Sequence, residues 1–413
     1  MKQKLFSKDF TLVVIGQIIS LFGNAALRFA LPLYLLNKTG SSALYGAVTA
    51  CAFLPMVLLS PVGGIVADRV NKRNIMVALD FLTALLVFSF YMLMNGQHLI
   101  LLLTAVLMLL YGIAGAYQPA VSASMPALAG QENLMAANSI INMISSLASL
   151  LGPILGGILY SSYGLEAVLA VCTCCFLFSA VMEIFIRIPC VKQEKNGRLW
   201  EIVRKDFGES FRFIRHEKPM IGKAVLSACS INLFMSSLIN VGMPYLITEV
   251  FDLEASWANT LYGFAQGALA AGGLAGGVCA GIFAKKLSMK KAGNLIVISA
   301  LCLFPAGAAL LFSVSGMVHY LVLTVCCFLV MVCSTIFSVQ IISFVQAGTP
   351  QSLIGKVIAL MMAVSMCAQP LGSLLYGVLF EICQGFEFAV VFFAGILSLV
   401  IALRSGKIFT ESH

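Results

Sequence analysis

Charged residues are scarce in this sequence. Asp, Glu, Lys and Arg together make up 10% of the 413 residues, whereas hydrophobic residues make up 60%. A soluble domain carries roughly a quarter charged residues, so this chain cannot cover a surface that faces water. Its apolar residues run unbroken for about 20 positions at a time, long enough to cross ~30 Å of hydrocarbon as a helix. Since the ten-residue alternation of a membrane barrel is absent, we expect an all-α membrane protein.

Signals for several kinds of functional site are also missing. None of the 4 histidines falls in the middle of a span, and most of the 13 cysteines lie in apolar runs with no histidine near them. That arrangement argues against a metal site or a disulfide framework. No nucleophile–base set and no phosphate-binding loop is present, so we expect neither an enzyme nor a bound cofactor. The net charge of +8 is placed in short clusters between apolar runs, which does not favour nucleic-acid binding.

Twelve spans are predicted from the apolar runs and from the Gly, Asn and charge clusters that separate them. They lie near 11–36, 43–67, 74–94, 99–120, 136–160, 165–188, 219–247, 258–283, 292–313, 317–340, 356–380 and 385–404. The first apolar run is too long for a signal peptide, so it is interpreted as a span. An even number of spans places both termini on the same side of the membrane.

The basic residues predict which side that is. With both termini in the cytoplasm, 22 of the 25 Lys and Arg residues fall in cytoplasmic tails and loops, while acidic residues dominate the outer loops. This bias is typical of the positive-inside rule. We therefore expect a multi-pass protein of the bacterial cytoplasmic membrane, with both termini cytoplasmic.

The chain repeats itself at a constant interval. Leu44-Tyr45-Gly46 recurs as Leu261-Tyr262-Gly263, and Pro153 matches Pro370, each pair being 217 positions apart. The repeat predicts two pseudo-symmetric six-helix bundles, 1–188 and 219–413. Between them, the charged segment 189–218 has apolar residues spaced by three or four and predicts an amphipathic linker helix on the inner membrane face. A tether between the halves and a regulatory element both remain open for it.

The loop after the second span carries a specific pattern of charge. Its key residues are Gly64, Asp68, Arg69, Lys72 and Arg73. The pattern resembles motif A of the major facilitator superfamily, with Asn71 in place of a glycine. Since Asn tolerates a left-handed backbone, we expect the turn to persist. The resemblance implies a gating loop whose acid latches onto the eleventh span near Lys356; the alternative for Asp68 is a plain turn residue. The second copy, 285–290, has lost the acid.

The fifth span carries small residues and a proline at fixed spacing: Gly152, Pro153, Gly156 and Gly157. Glycines open a groove for close helix packing, and proline bends a helix. The pattern resembles motif C, which in this superfamily marks antiporters, chiefly drug exporters; generic small-residue packing is the alternative. The eighth span offers a matching row of small residues as a packing partner: Ala268, Gly272, Gly276 and Ala280.

The first span narrows the resemblance. Residues 23–34, followed by Thr39-Gly40-Ser41, are similar to the macrolide-efflux and siderophore-exporter branch. That branch has an acid where Asn24 stands here, and an amide cannot carry a proton. Its coupling role is therefore not transferred to this chain.

Charges inside spans are costly, so each is a functional candidate. Arg28 is expected to face a central cavity and bind substrate, or else to pair with an outer acid or snorkel. Asp80 either pairs with the basic cluster 69–73 or titrates during transport, which makes it a coupling candidate together with Asp68. Glu183 and Arg187, four residues apart, are expected to pair on one helix face near the inner surface.

Polar amides in the spans complete the predicted cavity: Asn24, Asn142, Asn240 and Gln266, beside Arg28. Together these features predict a monomeric secondary transporter that exports a small amphipathic or lipophilic compound, drug-, macrolide- or siderophore-like, by alternating access. We expect proton antiport to drive the export, and we expect no cofactor. The alternatives are a lysolipid flippase, an uncoupled nutrient facilitator of the same fold, and a non-transporting receptor.

Overall fold

The computed structural model describes residues 7–96, 98–129, 131–188, 208–283, 289–312, 314–350 and 353–410. These residues are helical almost throughout. The helices are α1 (Lys8–Thr39), α2 (Ser42–Arg69), α3 (Lys72–Leu93), α4 (Leu99–Ala129), α5 (Leu134–Ile184), α6 (Pro219–Ile231), α7 (Ser237–Tyr245), α8 (Ala255–Ile282), α9 (Met289–Ala309), α10 (Gly316–Gly348), α11 (Ile354–Ile382) and α12 (Glu387–Thr410). Short π-helical turns follow α6 and α7, at Asn232–Ser236 and Leu246–Val250.

The helices account for the twelve predicted spans. Among the described residues, 10 helical segments are long and apolar enough to cross a membrane, and Pro219–Val250, which joins α6 and α7, counts as one of them. One of the ten, Ala136–Ile184, has 49 residues and contains two spans, and the shorter apolar helix Gly293–Ala309 supplies the remaining one. The predicted all-α fold is therefore confirmed, and the fourth and tenth spans run further than expected.

The long helix α5 consists of two antiparallel arms. Gly164, with φ of 76°, interrupts its helical geometry. Before this break, Gly152 packs on Ala25 and Gly156 packs on Ala26, so the first arm runs parallel to α1. After it, the order is reversed, because Ser179 lies beside Gly16 and Cys172 beside Gly23. The chain therefore turns back at Gly164, and the two arms are the fifth and sixth spans.

Large apolar side chains are exposed along the helices. Leu58 is 71% exposed, Leu101 72% and Ile382 75%. A protein surrounded by water would bury side chains of this kind, whereas lipid accommodates them without penalty. The exposed apolar surface therefore agrees with a bundle that is embedded in a membrane.

Contacts divide the chain into two compact units. The first comprises Met1–Thr39, Cys51–Asn196 and Ala255–Gly267, and the second comprises Gly40–Ala50, Gly197–Glu254 and Ala268–His413. The first residues of α2 thus pack within the second unit, and the first residues of α8 within the first unit. The predicted linker helix, 189–218, lies outside the described residues up to 207, and beyond that it is helical, ending in a π-helical turn at Phe213–Glu217.

The sequence repeat has a structural counterpart in these helix beginnings. Gly46 of α2 contacts the α11 backbone at Gly377, and Gly263 of α8 contacts the α5 backbone at Gly157. The preceding tyrosines of both copies, Tyr45 and Tyr262, are each 4% exposed. The repeated Leu-Tyr-Gly triplet therefore has the same role in both halves: its glycine lies where two helices approach too closely for a side chain.

Candidate functional site

A cavity of about 310 Å³ lies inside the first unit. It is enclosed by α1, α2, α3, α4 and the first arm of α5. Its lining combines apolar and polar side chains with one base and one acid: Ser20, Leu21, Asn24, Ala25, Arg28, Met56, Asp80, Thr83, Ile113, Ala114, Tyr117, Gln118, Ser145, Ala148 and Ser149. A concave, mostly apolar pocket with a few convergent polar groups is typical of small-molecule sites.

Arg28 occupies the α1 side of this cavity. Its guanidinium carbon lies 4.1 Å from the centroid of the Tyr111 ring on α4. Its Nε has no hydrogen-bond partner among the described residues. The ion pair with an outer-loop acid, the alternative for Arg28, is therefore not seen in the described part of the chain. A cation held over an aromatic face retains donors that can meet an incoming acceptor.

Asp80 occupies the α3 side and is 2% exposed. Its Oδ1 accepts a hydrogen bond from the Ser20 hydroxyl at 3.1 Å. The predicted pairing of Asp80 with the basic cluster 69–73 is not found for Arg73, whose Nε lacks a partner among the described side chains, while the surroundings of Arg69 lie outside the described part. The reason is geometric, because seven residues of helix separate the two Cα atoms by about 10 Å.

Glu183 does not form the expected pair with Arg187. It is 0% exposed, and its Oε1 accepts a hydrogen bond from the Tyr117 hydroxyl at 2.7 Å. Helix α5 ends at Ile184, so Arg187 is not one turn further along the same helix; it is exposed, and its backbone N–H donates to Asp9. The prediction of a surface pair was therefore wrong.

Tyr117 connects this inner acid to the cavity. Its ring lines the cavity, and its hydroxyl accepts a hydrogen bond from Gln17 at 2.6 Å while donating to Glu183. Sequence reasoning missed Tyr117, Ser20 and the role of Glu183. The one available signal was an acid inside the sixth span, but the base four residues later offered a simpler explanation.

A second cavity, of about 340 Å³, lies inside the second unit. Its polar lining is made of hydroxyl and amide groups, with Met and Phe beside them, and carries no acid or base: Asn232, Ser236, Met331, Ser334, Thr335, Phe337, Ser338, Met361, Met362 and Ser365 are among its residues. Asn232 and Ser236 bound the π-helical turn that follows α6. Such turns occur frequently at functional sites, because they re-aim side chains.

The predicted cavity residues are only partly brought together. Asn24 and Arg28 line the first cavity, and the Asn24 amide also donates to the Ser20 carbonyl at 3.1 Å. Asn142 is exposed on α5 and Asn240 is half-buried on α7, and neither is in the lining of the two cavities described above. Gln266, also outside both linings, donates to the Tyr262 hydroxyl one turn earlier on the same helix, at 2.9 Å.

The predicted gating loop is a tight turn between α2 and α3. The structure does not describe the surroundings of Gly64, Asp68 and Arg69. The predicted contact of Asp68 with the eleventh span therefore stays a prediction. Asn71 does not adopt a left-handed conformation: its φ is −61°, and its side chain caps α3 by accepting from the N–H of Arg73 at 3.1 Å. The turn therefore persists through helix capping, with Lys72 as the first residue of α3.

The glycines of the predicted motif C bring α5 close to two helices. A Cβ on Gly152 would overlap the Cβ of Ala25, and one on Gly156 would lie 3.2 Å from the Cα of Ala26. On the other face, Pro153 and Gly157 contact Gly263 at the beginning of α8.

The row of small residues expected to face α5 packs elsewhere. Gly272 and Gly276 lie against α10, at Phe328 and Val332. The prediction that these two glycines face the fifth span was therefore wrong, although α8 does meet α5 nearer its beginning, where Gly267 lies against Ile154. A small-residue spacing shows that a helix is closely packed without showing against which neighbour.

Comparison with known proteins agrees with this architecture. The family model of the Major Facilitator Superfamily matches residues 13–373. Macrolide efflux protein A of Streptococcus pyogenes is 25% identical over 371 residues, covering 87% of this chain and 86% of that protein. The enterobactin exporter EntS of Citrobacter koseri is 26% identical over 395 residues, covering 89% and 84%.

A solved structure shows the same fold. The crystal structure of a bacterial homologue of the iron transporter ferroportin, in an inward-facing state, superposes with a TM-score of 0.72 at 20% identity, covering 99% of both chains. At that identity the likeness speaks for the fold alone. The family model, in contrast, spans most of the sequence. This chain therefore belongs to the major facilitator superfamily and is a multi-pass membrane transporter, not an enzyme, with efflux proteins among its relatives.

Proposed function

We propose that this transporter exports a small amphipathic or lipophilic compound, drug-like, macrolide-like or siderophore-like, across the bacterial cytoplasmic membrane. Export proceeds by alternating access and is driven by protons moving inward in antiport. The protein acts as a monomer, with both termini in the cytoplasm. Arg28 and Asn24 contact the substrate, and Asp80 and Asp68 are the acids that couple or gate its movement.

The observation that carries this proposal is the cavity of the first unit. It places one base, Arg28, and one acid, Asp80, in a lining that is otherwise apolar or uncharged. Its volume of about 310 Å³ lies at the lower end of small-molecule pockets. Such a site suits a compound with an apolar body and a single polar or charged group, because the walls accept the body and the charged side chains orient the rest.

The relatives favour outward transport over uptake. Proteins named for macrolide efflux and enterobactin export each align with more than four-fifths of this chain. The small-residue contacts of α5 with α1 and with the beginning of α8 agree with the motif that marks antiporters in this superfamily. Coupling then requires an acid that reaches the cavity, and Asp80 meets that requirement.

The proposal is tested with inside-out bacterial vesicles whose lumen is acidified by respiration and followed with a pH-sensitive dye. Addition of macrolides, lipophilic cations and siderophore-like compounds should collapse the pH gradient for at least one compound. The response should be lost in Asp80→Asn, while Asp252→Asn, the same change at an exposed acid, should keep it. Arg28→Ala should weaken the response by raising the substrate concentration that it requires.

A flat trace across the whole panel would overturn proton-coupled export of these compounds. A lysolipid flippase of the same fold would instead move labelled lipid between leaflets without collapsing the pH gradient. An uncoupled nutrient facilitator would equilibrate its substrate in either direction. A response that survives in Asp80→Asn would exclude this acid from coupling while leaving export intact.

A further inference from the structure

The acids of the first unit lie in a cluster that is short of hydrogen-bond donors. Gln17 and Glu183 are 0% exposed, Ser20 1%, Asp80 2% and Tyr117 6%. Among the described residues, three acceptor oxygens of this cluster are buried without a hydrogen-bond partner: Oε1 of Gln17, Oδ2 of Asp80 and Oε2 of Glu183. A buried polar atom is almost always paired, so three unpaired acceptors in one cluster require an explanation.

The hydroxyl donors of the cluster are already in use. The single hydroxyl hydrogen of Ser20 goes to Asp80, and that of Tyr117 goes to Glu183. Ser179 lies beside Asp80, but its hydroxyl donates to the carbonyl of Gly16 at 3.1 Å. Two ionised carboxylates accept hydrogen bonds and donate none, so a proton added to either of them supplies a donor that the cluster lacks.

No base in the described part of the unit is placed to neutralise the two acids instead. On α1, Arg28 lies eight residues beyond Ser20, which separates their Cα atoms by about 12 Å, and it is held over Tyr111 of α4. On α3, Arg73 lies about 10 Å before Asp80 along the helix. On α4 and the second arm of α5, the titratable groups of the cluster are Tyr117 and Glu183. Just beyond α5, Arg187 is exposed, and no ion pair of its side chain with Glu183 is found among the described residues.

We propose that Asp80, Tyr117 and Glu183 form a proton-binding site inside the first unit, with Glu183 as its inner carboxyl group. Asp80 lines the cavity and Glu183 does not; Ser20, which is bonded to Asp80, and Tyr117, which is bonded to Glu183, both line the cavity and connect the two acids. In the transfer step, protonated Asp80 gives its proton to the Ser20 oxygen, Ser20 gives its own hydroxyl proton to the Tyr117 oxygen, and Tyr117 gives its hydroxyl proton to Glu183. Both hydroxyls are restored, Asp80 becomes a carboxylate and Glu183 becomes neutral. Two buried carboxylates that repel each other in an apolar interior are costly to keep ionised without a cation, which favours sharing at least one proton.

The second half of the chain shows that the fold does not need these acids. At the offset of the repeat, 217 positions further on, the residues are Val297 for Asp80, Ser334 for Tyr117 and Val400 for Glu183. The same helical architecture is thus built there with apolar or hydroxyl side chains. The acids of the first half therefore serve something other than helix packing.

The test uses the full chain, purified in lipid nanodiscs without substrate, and follows the carbonyl stretch of protonated carboxyl groups by infrared difference spectroscopy during a pH titration. Glu183→Gln should remove one protonated-carboxyl band, and Asp80→Asn should remove or shift a second. Glu166→Gln, at an exposed acid of the same unit, should leave both bands unchanged. Tyr117→Phe keeps both acids but removes the hydroxyl donor of Glu183, so it should shift the Glu183 band.

The inference supplies the coupling site of the proposed antiport, yet the spectroscopy needs no transport. Bands that respond as expected, in a protein that fails the vesicle assay, would keep the proton site and refute the antiport. Spectra of Glu183→Gln and Tyr117→Phe that coincide with that of the unaltered protein would overturn the proton site, even if export proved to be proton-coupled. Because Tyr117→Phe retains every acid, it decides the question even where Glu183→Gln folds poorly.

Discussion

The contact between α1 and the first arm of α5 can be tested by adding a single carbon atom. In Gly152→Ala, the new Cβ would overlap the Cβ of Ala25. Because a Cβ is fixed to the backbone, Ala25 cannot rotate away, and the two helices must separate. Overpacking of this kind costs about 1–3 kcal/mol. The gain from replacing Gly by Ala in a helix offsets up to about 1 kcal/mol, so we expect a net loss of about 1–2 kcal/mol.

Gly277→Ala is the matched control for this change. Gly277 also lies inside a helix, α8, but no atom approaches the position of its Cβ within 4 Å. This substitution should therefore stabilise the protein by up to about 1 kcal/mol through helix propensity alone. The free energy of unfolding should therefore fall in Gly152→Ala and rise in Gly277→Ala, so that the two variants differ by roughly 2 kcal/mol although the chemical change is identical.

The measurement is the free energy of unfolding in SDS titrations of the purified protein, supported by thermal melting in detergent. Gly152→Ala should also reduce export, because α1 carries Ser20, Asn24 and Arg28, and its displacement would alter the cavity. A Gly152→Ala protein as stable as Gly277→Ala would refute the close contact of α1 and α5. Unchanged export together with lost stability would show that the cavity tolerates this movement.

Three further predictions concern individual polar contacts, each measured by the same unfolding titration. Tyr117→Phe removes a hydroxyl that makes two buried hydrogen bonds, of 2.6 and 2.7 Å, and should cost about 1–3 kcal/mol; a neutral result would contradict the network. Glu381→Gln replaces with a neutral amide the carboxylate that accepts from the N–H of Ala43 at 3.3 Å near the beginning of α2. It should lower the free energy of unfolding by about 1 kcal/mol, and by less at high salt. Lys356→Met breaks the 2.8 Å ion pair with Glu209, but because 32% and 40% of the two side chains remain exposed, the loss should stay below about 1 kcal/mol.

The spans could be predicted from the sequence because the membrane imposes one requirement on every helix. A run of about 20 apolar residues is needed regardless of what the helix packs against. The repeat was equally informative, since Gly46 and Gly263 make equivalent close contacts in the two halves. Features that depend on one helix and its solvent were therefore visible in the sequence.

The cavity was predicted only in part. Residues that stand out within their own helix were found, whereas contacts between distant positions were not. Arg28 and Asp80 stand out in apolar runs by their charge, and both line the cavity. Glu183 also stands out, but its partner is Tyr117, 66 positions away in the sequence. An interaction between distant positions leaves no local pattern, so the nearby Arg187 was the wrong choice.

Packing partners were the least predictable feature. The small residues of α8 were recognised as a packing surface, yet Gly272 and Gly276 face α10 while Gly263 faces α5. One helix presents different faces to different neighbours, and the spacing of small residues does not distinguish them. The conformation of Asn71 was also not predicted, since its side chain caps α3 where a left-handed turn was expected.

The break at Gly164 has a consequence for how the protein enters the membrane during synthesis. This one residue is the whole connection between the two arms of α5, and its φ of 76° is a conformation that favours glycine. Two spans joined so tightly leave no free loop between them in the folded protein, so we expect them to enter the bilayer together as a hairpin. The sixth span would then follow the direction of the fifth, and we expect basic residues moved towards Glu166 to affect the topology less than the same residues placed in a longer loop.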